Sequence, residues 1–130
     1  MITVDASAIL AILLDEPEGQ TFKEALLRNG SSVISPINYW EVMVRFRATH
    51  GLNGLPLAEA LLEECGVEVR DLTPEHGRLA VDAHERYGRA TPAKLNLGDC
   101  FAYALAATEG DGLLFKGDDF PKTDVKVVAA

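Results

Sequence analysis

The sequence predicts an α/β fold built on a parallel sheet, and three observations carry that prediction. Short β-prone runs of about four residues alternate with helix-favouring stretches of about ten to fifteen, the pattern of βαβ units. No turn of the hairpin type lies between two strand runs, so antiparallel pairing is not indicated. The chain has 130 residues, of which 48% are apolar and 25% charged. Those values describe one ordinary domain, residues 1–130, that can bury a core without disulfides.

The elements follow in order. Ile2–Val4 is the first strand run and ends at Asp5. Ala6–Leu14 is rich in Ala and Leu and favours helix, and the punctuation from Asp15 to Gly19 stops it. A second helix runs from Glu18 to Arg28, with Phe22, Ala25 and Leu26 on one face, and Asn29-Gly30 ends it. Ser32–Ser35 is the second strand. Pro36 then stands at the first helical position after a Ser35 N-cap, opening a helix to His50. Leu55–Cys65 is a further helix, with Leu57, Leu61 and Leu62 as its apolar stripe and Gly66 after its end.

Val67–Arg70 alternates and reads as a third strand. Thr73 caps the next helix, Pro74 takes its first position, and it continues to Gly88. A loop from Arg89 to Leu97 leads to Gly98-Asp99, which opens an Ala-rich helix, Cys100 to Thr108. Leu113–Phe115 is the fourth strand, and Gly117–Pro121 is a loop or one helical turn. Val125–Val128 reads as a last strand.

The formal net charge is −8, from 12 basic and 20 acidic residues. A global excess of that sign argues against an ordinary nucleic-acid binder. The two cysteines, Cys65 and Cys100, belong to no C-x-x-C motif and are expected to be reduced structural residues of a cytoplasmic protein. The apolar stretch Ala6–Leu14 is too short to span a membrane and lacks a basic flank, so no membrane partner is expected.

Most acidic residues read as solvated helix surface. Asp5 does not, because it follows the first strand directly, where open parallel sheets place their ligands. An Asp there also serves as an N-cap. Glu41 lies in an otherwise apolar helix, and its simplest role is an exposed pair with Arg45 at i+4. Asp99 begins a helix, again a capping position. Asp118 and Asp119 follow the fourth strand, at a second carboxyl end. Three of these four positions map to one edge of the sheet. If the acids converge there, carboxylates ~4 Å apart repel by roughly 4 kcal/mol at an effective dielectric of 20, which calls for a cation. Oxygen ligands without His or Cys suit Mg²⁺, with Mn²⁺ as a substitute. Carboxylate-held magnesium commonly serves phosphate chemistry.

Four segments carry a family resemblance: VDASAILAILLDEP, SPINYWEV, LNLGDCFAYALA and LLFKGDDFPKTDV. In this order and spacing, the chain resembles a PIN domain and, more narrowly, the VapC-type toxins of bacterial toxin–antitoxin pairs. The resemblance implies a three-layer α/β/α sandwich with a central parallel sheet of four to five strands. It implies a Mg²⁺-dependent endoribonuclease that leaves a 3′-hydroxyl and a 5′-phosphate. It implies an RNA substrate, a cognate antitoxin whose C-terminal segment fills the active-site groove, a homodimer, and a hetero-oligomer with that antitoxin. Carried over, Asp5, Glu41 and Asp99 match the acidic triad. The fourth acid falls on Asp119 or Asp118. Ser7 matches a small hydroxyl residue supporting the site, and Asn96 a polar position before the third acid.

Arg45, Lys116, Arg89 and Lys94 are the candidates for phosphate contacts, with Arg86 near the same loop. His50, His76 and His84 read as exposed helical residues. Trp40, Tyr39 and Phe46 read as core or dimer interface. Two other readings remain. A receiver-like phosphoaspartate domain would place its acceptor at Asp71, and an inert PIN-fold binding module would lack one or more acids. Five site acids also change the meaning of the net charge. A divalent ion offsets part of that charge, and RNA affinity then rests on a local basic rim more than on the global field.

Overall fold

The structure is a computed structural model that describes all 130 residues, Met1–Ala130. The elements are β1 (Ile2–Val4), α1 (Ala6–Leu13), α2 (Gly19–Asn29), β2 (Ser32–Ile34), α3 (Pro36–His50), α4 (Gly54–Glu64), β3 (Val67–Val69), α5 (Pro74–Tyr87), α6 (Leu97–Glu109) and β4 (Leu113–Leu114). A single 3₁₀ turn follows at Phe120–Lys122. The expected helices and first four strands are present, with most ends shifted by no more than one or two residues; α6 starts earlier, at Leu97, and the expected last strand, Val125–Val128, is not formed beyond a single bridge.

The sheet has the order β3-β2-β1-β4 and is parallel throughout. Thr3 pairs with Val33 on one side and Leu113 on the other, and Val4 pairs with Leu114. The final strand is reduced to one parallel bridge, Leu113 to Val127. It is held by Leu113 N–H donating to the Lys126 carbonyl at 2.8 Å and Val128 N–H to the Leu113 carbonyl at 3.1 Å.

Strand alternation sends neighbouring side chains to opposite layers. Ile2, Val4, Ile34, Val67 and Leu114 join a core with α1, α2, α3 and α4, including Ile9, Leu26, Val42 and Leu62. Leu113 points the other way, into a core formed by Ala83 of α5, Tyr103 of α6, Leu95 of the loop between them and Phe120 of the 3₁₀ turn. The result is an α/β/α sandwich. Gly66 shows how tightly the β3 edge is joined: its φ is +68° and a Cβ would stand 2.3 Å from the Gly30 carbonyl oxygen.

This topology fixes where a ligand can sit. The chain runs outward from β1 through β2 to β3, then returns to place β4 on the other side of β1. The strand order therefore reverses at β1, and the crevice opens beyond the carboxyl ends of β1 and β4. Asp5 follows β1, and Lys116 through Asp119 follow β4. Asp71, the acceptor a receiver-like domain would need, instead follows the edge strand β3 and is exposed.

Candidate active site

Asp5 is buried at the first of these strand ends and serves as the N-cap of α1. Its Oδ2 accepts hydrogen bonds from Ser7 N–H at 3.0 Å and from the Ser7 hydroxyl at 2.5 Å. The same hydroxyl oxygen accepts from Lys116 N–H at 2.9 Å. Ser7 thus joins the end of β1 to the end of β4 across the crevice. The capping and site readings of Asp5 coexist, because one carboxylate oxygen suffices for the cap.

Glu41 is half-buried, and its partner is not Arg45. Asn38, one turn earlier and fully buried, donates from Nδ2 to Glu41 Oε1 at 2.8 Å and to the Gly98 carbonyl at 3.0 Å. Asn38 was not among the residues singled out from sequence. Its available signal was a polar amide at i−3 from Glu41 on an otherwise apolar helix. Gly98 was likewise missed: a Cβ there would stand 2.4 Å from Glu41 Oε1.

Asp99 lies in the first turn of α6, and Asn96 is the N-cap. Asp99 N–H donates to Asn96 Oδ1 at 2.9 Å, and Asn96 N–H donates to Asp99 Oδ2 at 3.1 Å. This reciprocal capping box starts the helix at Leu97, ahead of the expected Cys100. Asn96 acts here as a helix cap that fixes Asp99 rather than as a separate polar group.

The electrostatics tie these acids together. Burial raises the Asp5 carboxyl above its ordinary range, against the Ser7 hydrogen bonds and the charge of Arg45. Burial also raises Glu41, partly offset by the Asn38 hydrogen bond, and the nearby Asp5 charge raises it further. Asp99 is pushed up to about 6, first by burial and then by Asp5, Glu41 and Asp119, against its backbone hydrogen bond to Asn96. Of the doubled pair, Asp119 is the one whose charge reaches Asp99; both Asp118 and Asp119 are exposed. No three His, Cys, Asp or Glu side chains come close enough to form a metal-ligand cluster.

The basic candidates divide. Arg45 is exposed, and its charge is felt by both Asp5 and Glu41. Arg89 lines a shallow cavity of about 360 Å³ beside Glu41, shared with Trp40, Asn96 and Leu97. Lys94 is exposed, on left-handed backbone with φ 55°. The Lys116 ammonium is turned away, to Glu16 at 3.1 Å and Glu18 at 3.5 Å. Arg86 is taken up by Asp124 at 3.0 Å and Asp82 at 3.4 Å.

Two aromatic or histidine expectations need correction. Trp40 is 62% exposed, which removes the core alternative and leaves the interface one. His76 is buried rather than exposed. Its Nδ1 accepts from Thr73 N–H at 2.8 Å, closing the α5 capping box, and its Nε2 meets the Thr108 hydroxyl at 2.9 Å.

Acids at the carboxyl edge of a parallel sheet, gathered from β1, α3, α6 and the β4 loop, define a class of protein, and the PIN domain family model matches residues 2–126. The chain belongs to the PIN domain family. Within that family it is a homologue of the VapC-type toxins. It is 41% identical over 125 residues to ribonuclease VapC42 of Mycobacterium tuberculosis, covering 95% of each chain. It is 34% identical over 128 residues to ribonuclease VapC of Mycolicibacterium smegmatis, covering 98% of this chain and 99% of that one. Among solved structures, VapC20 of Mycobacterium tuberculosis, described as a sarcin–ricin loop cleaving toxin, superposes with a TM-score of 0.76 at 18% identity over the full length of both chains. A toxin–antitoxin complex from Klebsiella pneumoniae gives 0.69 at 21% identity, covering 95% of this chain and 93% of that chain. The last two are likenesses of fold.

Proposed function

We propose that this chain is a Mg²⁺-dependent endoribonuclease, the toxin of a toxin–antitoxin pair, with Mn²⁺ able to substitute. The observation that carries the reading is geometric: Ser7 ties Asp5 at the end of β1 to the backbone after β4, and the Glu41 carboxylate sits on the α6 backbone one residue before Asp99, so acids from separate elements face one crevice. An all-oxygen donor set whose members repel one another suits a hard divalent cation. Asp5 and Asp99 would hold it, with Glu41 and Asp119 completing its donor set through water. When bound, the ion would activate water and offset charge on the phosphate undergoing displacement.

The chain's own residues do the rest. Ser7 fixes the Asp5 carboxylate through two hydrogen bonds. The capping box fixes Asp99, and Asn38 fixes Glu41. Glu41 and Asp119, the latter exposed at the rim with Asp118 beside it, orient the attacking water and accept its proton as its oxygen bonds to phosphorus; the P–O3′ bond breaks and O3′ leaves as the 3′-hydroxyl, protonated from solvent. Arg45 and Arg89 hold the RNA backbone, and Lys94 adds to the same rim. Lys116 contributes its backbone N–H to Ser7, while its side chain braces the loop after α1 through Glu16 and Glu18.

The relatives are VapC ribonucleases, and a chain of a toxin–antitoxin complex from Klebsiella pneumoniae shares the fold, which supports an antitoxin as partner. The exposed apolar residues Trp40, Val81 and Leu97 support a homodimer in which a second copy covers them. No helix is long and apolar enough to cross a membrane. Both cysteines are free and buried, in keeping with a cytoplasmic protein. The test is RNA cleavage with Mg²⁺ or Mn²⁺, wild type against Asp99→Asn. Metal-dependent cleavage by the wild type and its loss in the variant are expected. Equal activity of the two would remove the acidic site from the mechanism.

A further inference from the structure

Glu41 and Asp99 come from helices on different sides of the sheet, so something must set the distance between them. α3 packs chiefly with α1 and α4, and α6 with α5; the two also meet each other, at the junction where Asn38 faces Gly98. Neither helix's own backbone geometry determines where its acid stands relative to the other.

Asn38 meets that need with its whole side chain. Both acceptors facing its Nδ2 are fixed in chemical type: a Glu41 carboxylate oxygen at 2.8 Å and the Gly98 carbonyl at 3.0 Å. Its Oδ1 accepts from the Ser35 hydroxyl at 2.6 Å, and the Ser35 oxygen accepts in turn from Asn38 N–H at 3.0 Å. A flipped amide would set Oδ1 against a carboxylate and a carbonyl, so only one orientation satisfies the site. Asn38 is wholly shielded from solvent, where a lost partner is expensive and a satisfied amide is held rigidly.

Gly98 completes the arrangement from the other helix. A Cβ there would lie 2.4 to 2.6 Å from the three carboxyl atoms of Glu41. The Glu41 carboxylate is therefore seated directly on the α6 backbone, one residue before Asp99. A side chain at this position would push the Glu41 carboxylate off its seat.

We propose that Asn38 is a positioning residue: by bridging Glu41 to the Gly98 carbonyl, it fixes the Glu41 carboxylate relative to Asp99 across the α3–α6 junction, and Gly98 supplies the seat. This rests on the nuclease reading of the same acids, and the test separates the two.

Two variants, Asn38→Leu and Gly98→Ala, displace Glu41 from opposite sides. The first removes the amide at similar volume, and the second leaves the amide and fills the seat. With either variant folded by circular dichroism, kcat for RNA cleavage is expected to fall at least tenfold. KM should change less than threefold, because the phosphate-holding arginines are untouched. Mn²⁺ affinity, read by calorimetry without RNA, should weaken several-fold. A spectroscopic arm needs no activity: in the wild type, Glu41→Gln should shift the Asn38 side-chain NH₂ resonances and the Gly98 and Asp99 amides together.

Either folded variant retaining kcat and Mn²⁺ affinity within twofold of wild type would overturn the positioning role. So would Glu41→Gln leaving the Asn38 NH₂ signals in place. A wild type that cleaves no RNA but shows the coupled resonance shifts would refute the nuclease reading and leave the Asn38 bridge standing. If Asn38→Leu fails to fold, Gly98→Ala and the resonance arm decide the matter.

Discussion

Replacing Asp99 by Asn should make the metal-free protein more stable at pH 8 while abolishing its cleavage of RNA. The folded-state carboxyl is pushed from its ordinary 3.8 up to about 6, chiefly by burial and then by Asp5, Glu41 and Asp119. The folded chain therefore binds this proton more tightly than the unfolded chain does. Stability is unaffected below the ordinary value, falls as the pH rises through the window from 3.8 to about 6, and stays reduced above it. At about 1.36 kcal/mol per pH unit the full effect would be roughly 3 kcal/mol. Asp99 is only half-buried, and solvent screening reduces that to about 1–2 kcal/mol. Asn removes the charge but keeps an oxygen to accept from Asn96 N–H, so the capping box survives. Thermal unfolding in EDTA should place the variant about 3–8 °C above wild type at pH 8. At pH 4 the two should nearly coincide, and saturating Mg²⁺ should raise the wild type selectively at pH 8. Equal melting temperatures at pH 8 in EDTA, or a gap of the same size at pH 4, would refute the account of Asp99 as a repelled, half-buried acid.

Three further outcomes follow from named contacts. Ser7→Ala removes the hydroxyl that joins Asp5 to Lys116 N–H; denaturant titration should show a loss of about 1–3 kcal/mol, and RNA cleavage should drop with it. His76→Leu breaks the capping contact with Thr73 and the link to Thr108 at the far end of α6; it should destabilise by about 1–3 kcal/mol yet leave kcat near wild type in the folded fraction. Arg89→Ala should raise KM for RNA with little change in kcat and flatten the dependence of binding on salt, whereas Lys116→Ala, whose ammonium is engaged by Glu16 and Glu18, should do neither.

Local signals determined a large part of this protein. The alternation of short strands and helices gave a parallel α/β sheet, and Ser35-Pro36 and Thr73-Pro74 marked helix starts where the structure has them. Asp5 was legible at the end of β1 because strand ends and caps are encoded in neighbouring residues. The motif order also brought Glu41 and Asp99 into view, through resemblance rather than periodicity. Tertiary structure alone decided the contacts within the site. Asn38 reaches Gly98 across 60 residues, and Ser7 reaches Lys116 across 109. It also selected Asp119 over Asp118 as the acid whose charge reaches Asp99, buried His76 against Thr108, and left Trp40 on the surface. The physical reason is the range of each interaction. Propensity, capping and amphipathic spacing act within a few residues, whereas a side chain's partner across the crevice exists only after β1, β4, α3 and α6 have docked.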